Sequence, residues 1–520
     1  MLTFKIADAP HEHEQIHALS YRAFVEEIPQ HQPNEARLHV DRFHDENVYA
    51  ISKAGEKLVG MIAVRGRRPF SLDGKLADLD RYLPPGRNPC EVRLLAIDKE
   101  HRAGAVLPGL LSVLWQHAAE EHFDCAVISA TTRQLKLYGH LGFVAFGPLV
   151  GTADAPFQPM FITREMFQER ARALTSFPPA MRGEVANFLP GPVTVHEDVS
   201  SAFRSAPESH RAPAFLADLD ALRADLRALL RANFAEVLVG SGTLANDCVA
   251  AQLARLGRGV VVSNGEFGER LADHAARMRL EHAHVRVGWG EPLDLDAVRN
   301  TLEDAPAWLW VVACETSCGV MNDLTALAAL CRESGTKFCV DAVSAVGAVP
   351  LDLRDVYLAS GTSGKALAAY PGLAIVFHRD PIVPSHDLPR YLDLGMYATD
   401  GVPFTHSSNL VRALRTAVAR VDWPKRHEEI AEQGATLRRR LASLGLDIVG
   451  TTATPAPHVV TIAVPDAPQL ARRLERSGFL VAHASDYLRK RNWIQFALMG
   501  ETSRDGIAAL LRELRRQKDA

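Results

Sequence analysis

The tightest constraint on the fold comes from the second half of the chain. Five short apolar or β-branched runs occur there, EVLVGSG (236–242), GVVVSNG (259–265), AWLWVVACE (307–315), KFCVDAVSA (337–345) and GLAIVFH (372–378), with helical stretches between them. Strands that alternate with helices and are apolar throughout, rather than at every second residue, belong to a sheet covered on both faces. The pattern therefore predicts a large, doubly wound, mostly parallel α/β sheet. Upstream, FLPGPVTV (188–195) is an extended Pro/Gly-rich entry, followed by Leu219, Leu222, Leu226 and Leu229 at helical spacing. Past Ser443 the pattern changes to HVVTIAV, a helix from Gln469 to Ser477, the strand-like NWIQFAL, and a final helix from Gly506 to Arg516, which reads as a small α+β part.

That sheet leaves the first 165 residues as a separate α/β unit. It begins with the strand-like LTFKIAD and an amphipathic segment from Glu12 to Glu27. NVYAISK and KLVGMIAVR flank Ala54-Gly55-Glu56 as a hairpin. CEVRLLAID is a further strand, and Val106, Leu110, Leu111, Leu114 and Ala118 mark a helix before the strand CAVISAT. Residues 166–186 contain Pro178-Pro179 and read as a linker. The expected division is thus 1–165, linker 166–186, a large domain over 187–442 and a small one over 443–520. A length of 520 residues, at about 150 per domain, agrees with several units.

Composition narrows the partners. With 58 Lys+Arg against 62 Asp+Glu the formal charge is -4, so no net-positive field favours nucleic acid. The longest apolar runs, such as Ala307–Cys314, fall short of the about 18–20 residues a bilayer span needs, so no membrane helix is expected. The segment MLTFKIADAPHEHEQ lacks the pattern of a secretory signal, which makes the expected location cytoplasmic. Seven cysteines, an odd number without a CxxC pair, are expected to be reduced and buried, with no metal centre.

Three features of the second unit answer the needs of one cofactor. Ser241, Gly242 and Thr243 lie between a strand and a helix, where backbone N–H groups and hydroxyls can hold a phosphate at the positive helix end. Asp341 follows FCV and so emerges at the carboxyl edge of a buried strand, where ligands bind in open α/β sheets. A carboxylate there can keep a pyridinium nitrogen protonated. Lys365, among small residues and ahead of Pro371-Gly372, is available to form a Schiff base with an aldehyde. Together they indicate pyridoxal 5'-phosphate.

A series of blocks then resembles the class V, fold-type I aminotransferases, aminoethylphosphonate transaminase and alanine:glyoxylate aminotransferase in particular, over about residues 187–505. The blocks are LPGPVTV (189–195), SHRAPAF (209–215), GSGTLAN (240–246), NGEFGER (264–270), CETSCGV (314–320), VDAVSAVGAVPLD (340–352) and SGKALAAYPGLAIV (363–376), in the family's order. The resemblance makes Lys365 the Schiff-base lysine and proton shuttle, Asp341 the partner of the pyridine nitrogen, and Phe267 the aromatic stacked on the ring. It makes Ser241, Gly242 and Thr243 the phosphate cradle and brings Ser317 and Ser344 near the ring or its lysine. Phe404 and Ser407, in PFTHSSN, fall where a partner subunit reaches the phosphate, which implies a homodimer with shared sites.

Two positions depart from the family. The residue before the lysine, commonly an amide, is Gly364, and Thr362 or Ser363 is expected to replace its phosphate contact. The family's carboxylate-binding arginine, five residues before the glycine of a block like RIGLLG, is Gln495 here. Arg489 and Arg491 share parity with Gln495 on an extended strand, but Arg491 is four residues away, about 13 Å at the usual rise. Gln495 and Arg491 are accordingly the candidate substrate residues, and the substrate either lacks an α-carboxylate or is held differently.

Residues 40–150 resemble the GNAT acyltransferases in the order hairpin, strand, helix opened by HRAG, strand and LYGHLGF. The resemblance places a coenzyme A pyrophosphate on Arg102, Gly104 and Ala105, a degenerate form of the family's loop, and makes acetyl-CoA or another acyl-CoA the co-substrate. Tyr138 resembles the tyrosine that protonates the departing thiolate. Glu91 reads as an ordinary surface carboxylate, with a general base as the alternative. Arg67, Arg68, Arg81 and Arg87 lie in the segment that lines acceptor sites in such folds and would suit either an anionic acceptor or, equally, a solvated loop.

The expectation is a pyridoxal-phosphate aminotransferase, working by ping-pong exchange between an amine donor and a keto acid or aldehyde, fused to a GNAT-like acyltransferase. The alternative is a pyridoxal-phosphate lyase or desulfurase with a non-catalytic coenzyme A-sensing or dimerisation module.

Overall fold

The computed structural model describes residues 2–28, 31–102, 104–152, 155–172, 174 and 177–519. The chain forms two compact units, one of residues 1–186 with 472–479 and 508–520, the other of residues 187–471 with 480–507.

The first unit is built on an eight-stranded sheet. Its order is Leu2–Ile6, Val48–Ala54, Lys57–Arg65, Pro89–Ile97, Cys125–Thr131, Ala155–Thr163 and Val144–Ala145, with Val150–Thr152 also pairing to Ala155–Thr163. The hairpin closes with Ala54 opposite Lys57 across Gly55, whose φ of +62° is the left-handed conformation that glycine adopts without strain. Alternation in these strands, reset by a register shift that leaves Val59 unpaired between the partners of Ser52 and Lys53, sends Ala50, Val59 and Ile62 to one face, against Val106 and Leu110 of the helix Val106–Glu120. Tyr49, Ile51 and Met61 go to the other, against Ile16 and Leu19 of the helix Pro10–Tyr21. That helix continues beyond Tyr21 only as a wider π turn, Arg22–Glu27.

Among the described residues the one parallel pairing of this sheet, Pro89–Ile97 with Cys125–Thr131, holds only from Pro89 opposite Cys125 to Glu91 opposite Val127. Beyond it the strands part, and Leu94 takes a φ of +53°.

Residues 166–186 are not the free linker that the diproline suggested. The helix Arg164–Ala171 and the turn Pro179–Arg182 bury Ala171, Phe177 and Met181 against Leu111 and Trp115, because the stretch carries large apolar side chains that need cover. Residues 173, 175 and 176 of it lie outside the described residues. Residues 443–520 are likewise not one body: Ser477 and the buried Glu513 both bond Gln116, at 2.8 and 3.1 Å, within the first unit.

In the second unit the seven-stranded sheet runs Phe234–Val239, Leu373–His378, Leu358–Thr362, Lys337–Asp341, Trp308–Val312, Gly259–Ser263 and His282–Arg286. It is parallel except at Leu373–His378, antiparallel to both neighbours. Alternate residues of the central strands enter two cores: Leu309, Val311 and Val340 join Leu222 and Leu226, while Trp308, Trp310 and Cys339 join Val249 and Leu271. A smaller antiparallel sheet comprises Asp447–Ile448, Val459–Ala463 and Trp493–Ala497. Among the described residues no helix is long and apolar enough to cross a membrane. All seven cysteines are free and buried.

Candidate active site

In the second unit the strand Lys337–Asp341 ends by delivering a buried carboxylate. One Asp341 oxygen accepts the Val343 N–H and the other the Asn246 side-chain amide, each at 2.9 Å. Ser360 Oγ donates to Asn246 Oδ1 at 2.6 Å, so the amide that orients Asp341 is itself oriented.

Lys365 Nζ donates to Ser344 Oγ at 2.9 Å and lies 5.5 Å from the centre of the Phe267 ring. The residue keeps partial surface exposure, but Nζ is ringed by protein. Burial pulls the ammonium below the ordinary lysine range, and the Asp341 carboxylate opposes it.

Phe267 is fixed from behind. Its N–H and that of Gly268, at the start of the helix Glu266–Arg277, donate to the Glu315 carboxylate at 3.1 and 3.0 Å. Glu315 is fully buried, and burial pushes its pKa up against the effect of these donors. Ser317 Oγ donates to the same carboxylate and accepts the Glu266 N–H at 3.2 Å. Ser317 therefore holds the start of this helix, whereas Ser344 is in direct contact with the lysine.

Ser241 precedes the helix Gly242–Leu253 in extended conformation and makes no side-chain cap, leaving the first N–H groups open beside the exposed Ser241 and Thr243. A Cβ on Gly242 would fall 2.9 Å from both methyl carbons of Val343, so only glycine lets this helix end approach the turn after Asp341 so closely. Thr362 and Ser363 do not replace the missing amide at Gly364. Thr362 donates its hydroxyl proton to the Leu373 carbonyl at 3.1 Å and Ser363 to the Tyr370 carbonyl at 2.7 Å. Gly364 itself has no room for a side chain, since a Cβ would meet Pro371 at 2.8 Å.

Phe404 stacks on Tyr391 at 5.4 Å, and Ser407 caps the helix Ser408–Ala419 by accepting the Leu410 N–H at 3.3 Å. Arg491 does not share an extended strand with Gln495. Residues Asp486–Arg491 are helical, Asn492 reverses the chain at φ +54°, and the strand begins only at Trp493. Arg491 instead lays its guanidinium 3.6 Å over the Trp289 ring and donates to the Tyr487 carbonyl at 3.4 Å. Gln495 is enclosed, with no exposed surface. Sequence reasoning passed over Asn246, Glu315, Thr316, Tyr487, Trp289 and His458. Asn246, Glu315 and Thr316 sit inside blocks already quoted, and asking what orients Asp341 and Phe267 would have found the first two.

These groups fit pyridoxal phosphate. An uncapped helix start suits its phosphate, a buried oriented carboxylate its ring nitrogen, Phe267 its face, and a desolvated amine its aldehyde.

The first unit holds a cavity of about 780 Å³ where its two parallel strands part. One end is charged, with Asp41, Arg42, Lys75, Glu91 and Arg93. The other is largely apolar, with Leu111, Leu114, Trp115, Phe123 and Phe167, and has Arg164 over the Trp115 ring at 5.4 Å. Glu91 is not a surface carboxylate: it is 1% exposed, and both oxygens accept the Ser71 N–H, at 3.0 and 2.9 Å. Arg93 pairs with Asp41 at 3.0 Å. Tyr138 lines the cavity edge-on to Phe143 at 5.8 Å, and burial pushes its phenol up.

Arg67, Arg68, Arg81 and Arg87 do not line it. Arg68 pairs with Asp73 and Asp80, and Arg87 with Glu165 and Asp124, so the cations that line the cavity are Arg42, Lys75, Arg93 and Arg164. Arg102 pairs with Glu27 and donates to the Ile97 carbonyl at 3.0 Å. Gly104 has φ +137°, and Ala105 precedes the helix Val106–Glu120 without a side-chain cap, leaving that helix start open.

Each unit has a counterpart among known protein families. Residues 195–387 match the family model of aminotransferase class-V, and residues 15–160 that of the N-acyl amino acid synthase FeeM. The 2-aminoethylphosphonate–pyruvate transaminase of Paraburkholderia phymatum is 31% identical over 249 residues, 45% of this chain and 67% of that protein. Its namesake from Pseudomonas putida is 28% identical over 270 residues, 47% of this chain and 72% of that one. Among solved structures, the alanine–glyoxylate aminotransferase of Nostoc sp. superposes with a TM-score of 0.58 at 29% identity, over 64% of this chain and 94% of its own.

Proposed function

The chain belongs to the class-V aminotransferases, and from that premise we propose that its second unit moves an amino group between an amine donor and a keto acid or aldehyde, while its FeeM-type first unit transfers an acyl group from a thioester to an amine. The observation that carries the first half is Lys365 Nζ, desolvated, bonded to Ser344 and facing the Phe267 ring.

Pyridoxal phosphate, when bound, supplies an electron sink for the carbanion formed beside the transferred nitrogen. The protein's own groups do the rest. The open N–H groups after Ser241, with Gly242 and Thr243, hold the phosphate. Asp341, oriented by Asn246, holds a proton at the ring nitrogen. Phe267 covers one face. Lys365 Nζ, which burial keeps more readily in its neutral, proton-accepting form, moves the proton at the substrate carbon. Arg491, steadied on Trp289, is the cation assigned to an acid group on the substrate. Phe404 and Ser407 are assigned to a homodimer interface at which the partner subunit completes the phosphate site, and the protein is placed in the cytoplasm.

In the first unit the assignment is Tyr138 as the acid that protonates the leaving thiolate, with the helix start after Arg102, Gly104 and Ala105 receiving acetyl-CoA or a longer acyl-CoA. A cavity of about 780 Å³ admits acyl chains well beyond acetyl. Its charged end is suited to an amine that also carries a carboxylate. The fusion further suggests that the amine made in one unit is acylated in the other. The desulfurase reading draws less support, since the relatives named above are aminotransferases.

The test is the visible absorption of the cofactor-loaded protein, titrated with amine donors that include aminophosphonates and plain amines. Bleaching by a donor and recovery with a keto acid is the expected result. Absence of a bound chromophore after reconstitution would overturn the reading.

A further inference from the structure

Gln495 occupies the position at which the resembled family carries an arginine for the substrate carboxylate, yet no ligand can reach it. The residue has no exposed surface. Its main chain is pinned in both directions to Ala482, at 2.9 and 3.1 Å. Nε2 donates to the Thr316 carbonyl at 2.6 Å and to Thr461 Oγ1 at 2.9 Å, with the Ser317 carbonyl at 3.4 Å. A carboxamide has two N–H donors, and both are engaged. Oε1 accepts the Tyr487 hydroxyl at 3.5 Å.

Beyond Thr316 the network leads to the lysine. Thr316 Oγ1 donates to Ser344 Oγ at 2.5 Å, and Ser344 Oγ accepts from Lys365 Nζ at 2.9 Å. The neighbouring Glu315 holds the main chain of Phe267. We infer that Gln495 is a positioning residue for Lys365, acting through the turn Glu315–Ser317, and that this chain does not read a substrate carboxylate at position 495. The inference deepens the role given to Lys365 above and rests on it for its bearing on catalysis, but the geometry holds with or without cofactor.

The side chain of Ser344 is a hydrogen-bond acceptor for the ammonium form of Lys365, so loosening it disfavours that form. The other charged or titratable groups acting on Lys365 are Asp341, Cys314, Arg270, Glu315 and the fully buried His458, and none of them is altered by the substitutions below.

The experiment is competitive labelling of Lys365 with acetic anhydride across pH in the full-length, cofactor-free chain, read by peptide mass spectrometry. Gln495→Met keeps the volume and removes both donors. It should lower the labelling midpoint by about half a pH unit, seen as about threefold faster labelling at pH values well below the wild-type midpoint. Thr316→Val, which removes the hydroxyl that meets Ser344 at 2.5 Å and the Cys314 carbonyl at 3.4 Å, should shift it the same way, and the double variant should add less than the sum. Should Gln495→Met fail to fold, Thr316→Val still decides. Profiles that superpose on the wild type would overturn the inference.

In the loaded enzyme Gln495→Met should lower kcat for alanine and for 2-aminoethylphosphonate alike, with KM within about twofold. A KM rise confined to acid-bearing donors, with propylamine unaffected, would also overturn it. Loss of the cofactor reading would show instead as a wild-type protein that takes up no chromophore, with the labelling result standing independently.

Discussion

The two units treat buried polar groups in opposite ways. At the Lys365 site the groups are locked by short bonds among residues far apart in the chain: Asp341 by Asn246, Phe267 by Glu315, Thr316 by Gln495. In the first unit most of the charged groups gather at one end of a wide cavity, with Arg164 and Asp124 elsewhere on its wall, and part of that wall is a stretch without regular structure. That stretch, residues 31–43, rests on histidines. His39 Nδ1 meets Ser20 Oγ at 2.8 Å, its ring lies tilted against that of His31 at 4.2 Å, and His17 Nε2 meets His44 Nδ1 at 3.3 Å. A fixed geometry suits a reaction centred on one carbon and one proton. A wall held by weak, titratable contacts suits a chain that must be threaded in and released.

Removing the amine should separate the units most completely. Lys365→Ala is expected to cut transamination by about 10³-fold or more while thioester-dependent acylation stays within about twofold, measured on the same preparation. A parallel loss of both activities would show that the two sites are not independent. Next in size, Tyr138→Phe keeps the ring and removes the proton donor. Thiol release should fall about 10²-fold with the visible spectrum of the second unit unchanged. A change of less than twofold would remove Tyr138 from the chemistry.

Filling the cavity should discriminate by chain length rather than abolish turnover. Ala118 lines it from the helix Val106–Glu120, and Ala118→Phe should lower kcat/KM for long-chain thioesters about tenfold while sparing acetyl-CoA, at a stability cost of about 1–3 kcal/mol.

The smallest effect concerns pH. Burial, then the neighbouring histidines, hold His17 and His39 below the ordinary histidine range, against Glu14 and Asp41. Because the folded pKa is depressed, the stabilisation is fully present above the unfolded value of about 6.5 and is lost as pH falls through the folded value. Proteolysis within residues 31–43 should therefore rise several-fold between about pH 7 and pH 5. His17→Gln with His39→Asn should flatten that dependence. An equally steep profile in the double variant would exclude the histidines as its cause.

Much of this was legible in the chain. Continuous apolar runs mark the central strands, since a strand covered on both faces has no polar side to show. Asp341 and Lys365 stand out because each follows or precedes a run whose structure is set by its immediate neighbours. The hairpin at Gly55 and the helix after Ala105 are local in the same sense.

What the sequence could not show was which donor meets which acceptor. Gln495 reads as a substrate residue until its amide is found on the Thr316 carbonyl, 179 positions away. Thr362 and Ser363 read as phosphate ligands until their protons are found on the Leu373 and Tyr370 carbonyls. Glu91 reads as a surface group until Ser71 covers it, and residues 166–186 read as a linker until Phe177 and Met181 find Leu111 and Trp115. Local propensity and periodicity are properties of neighbouring residues, so the sequence alone determined the elements and the residue types of the site. A polar group's role depends on whether its donors and acceptors are already satisfied, and that is decided only when distant segments pack.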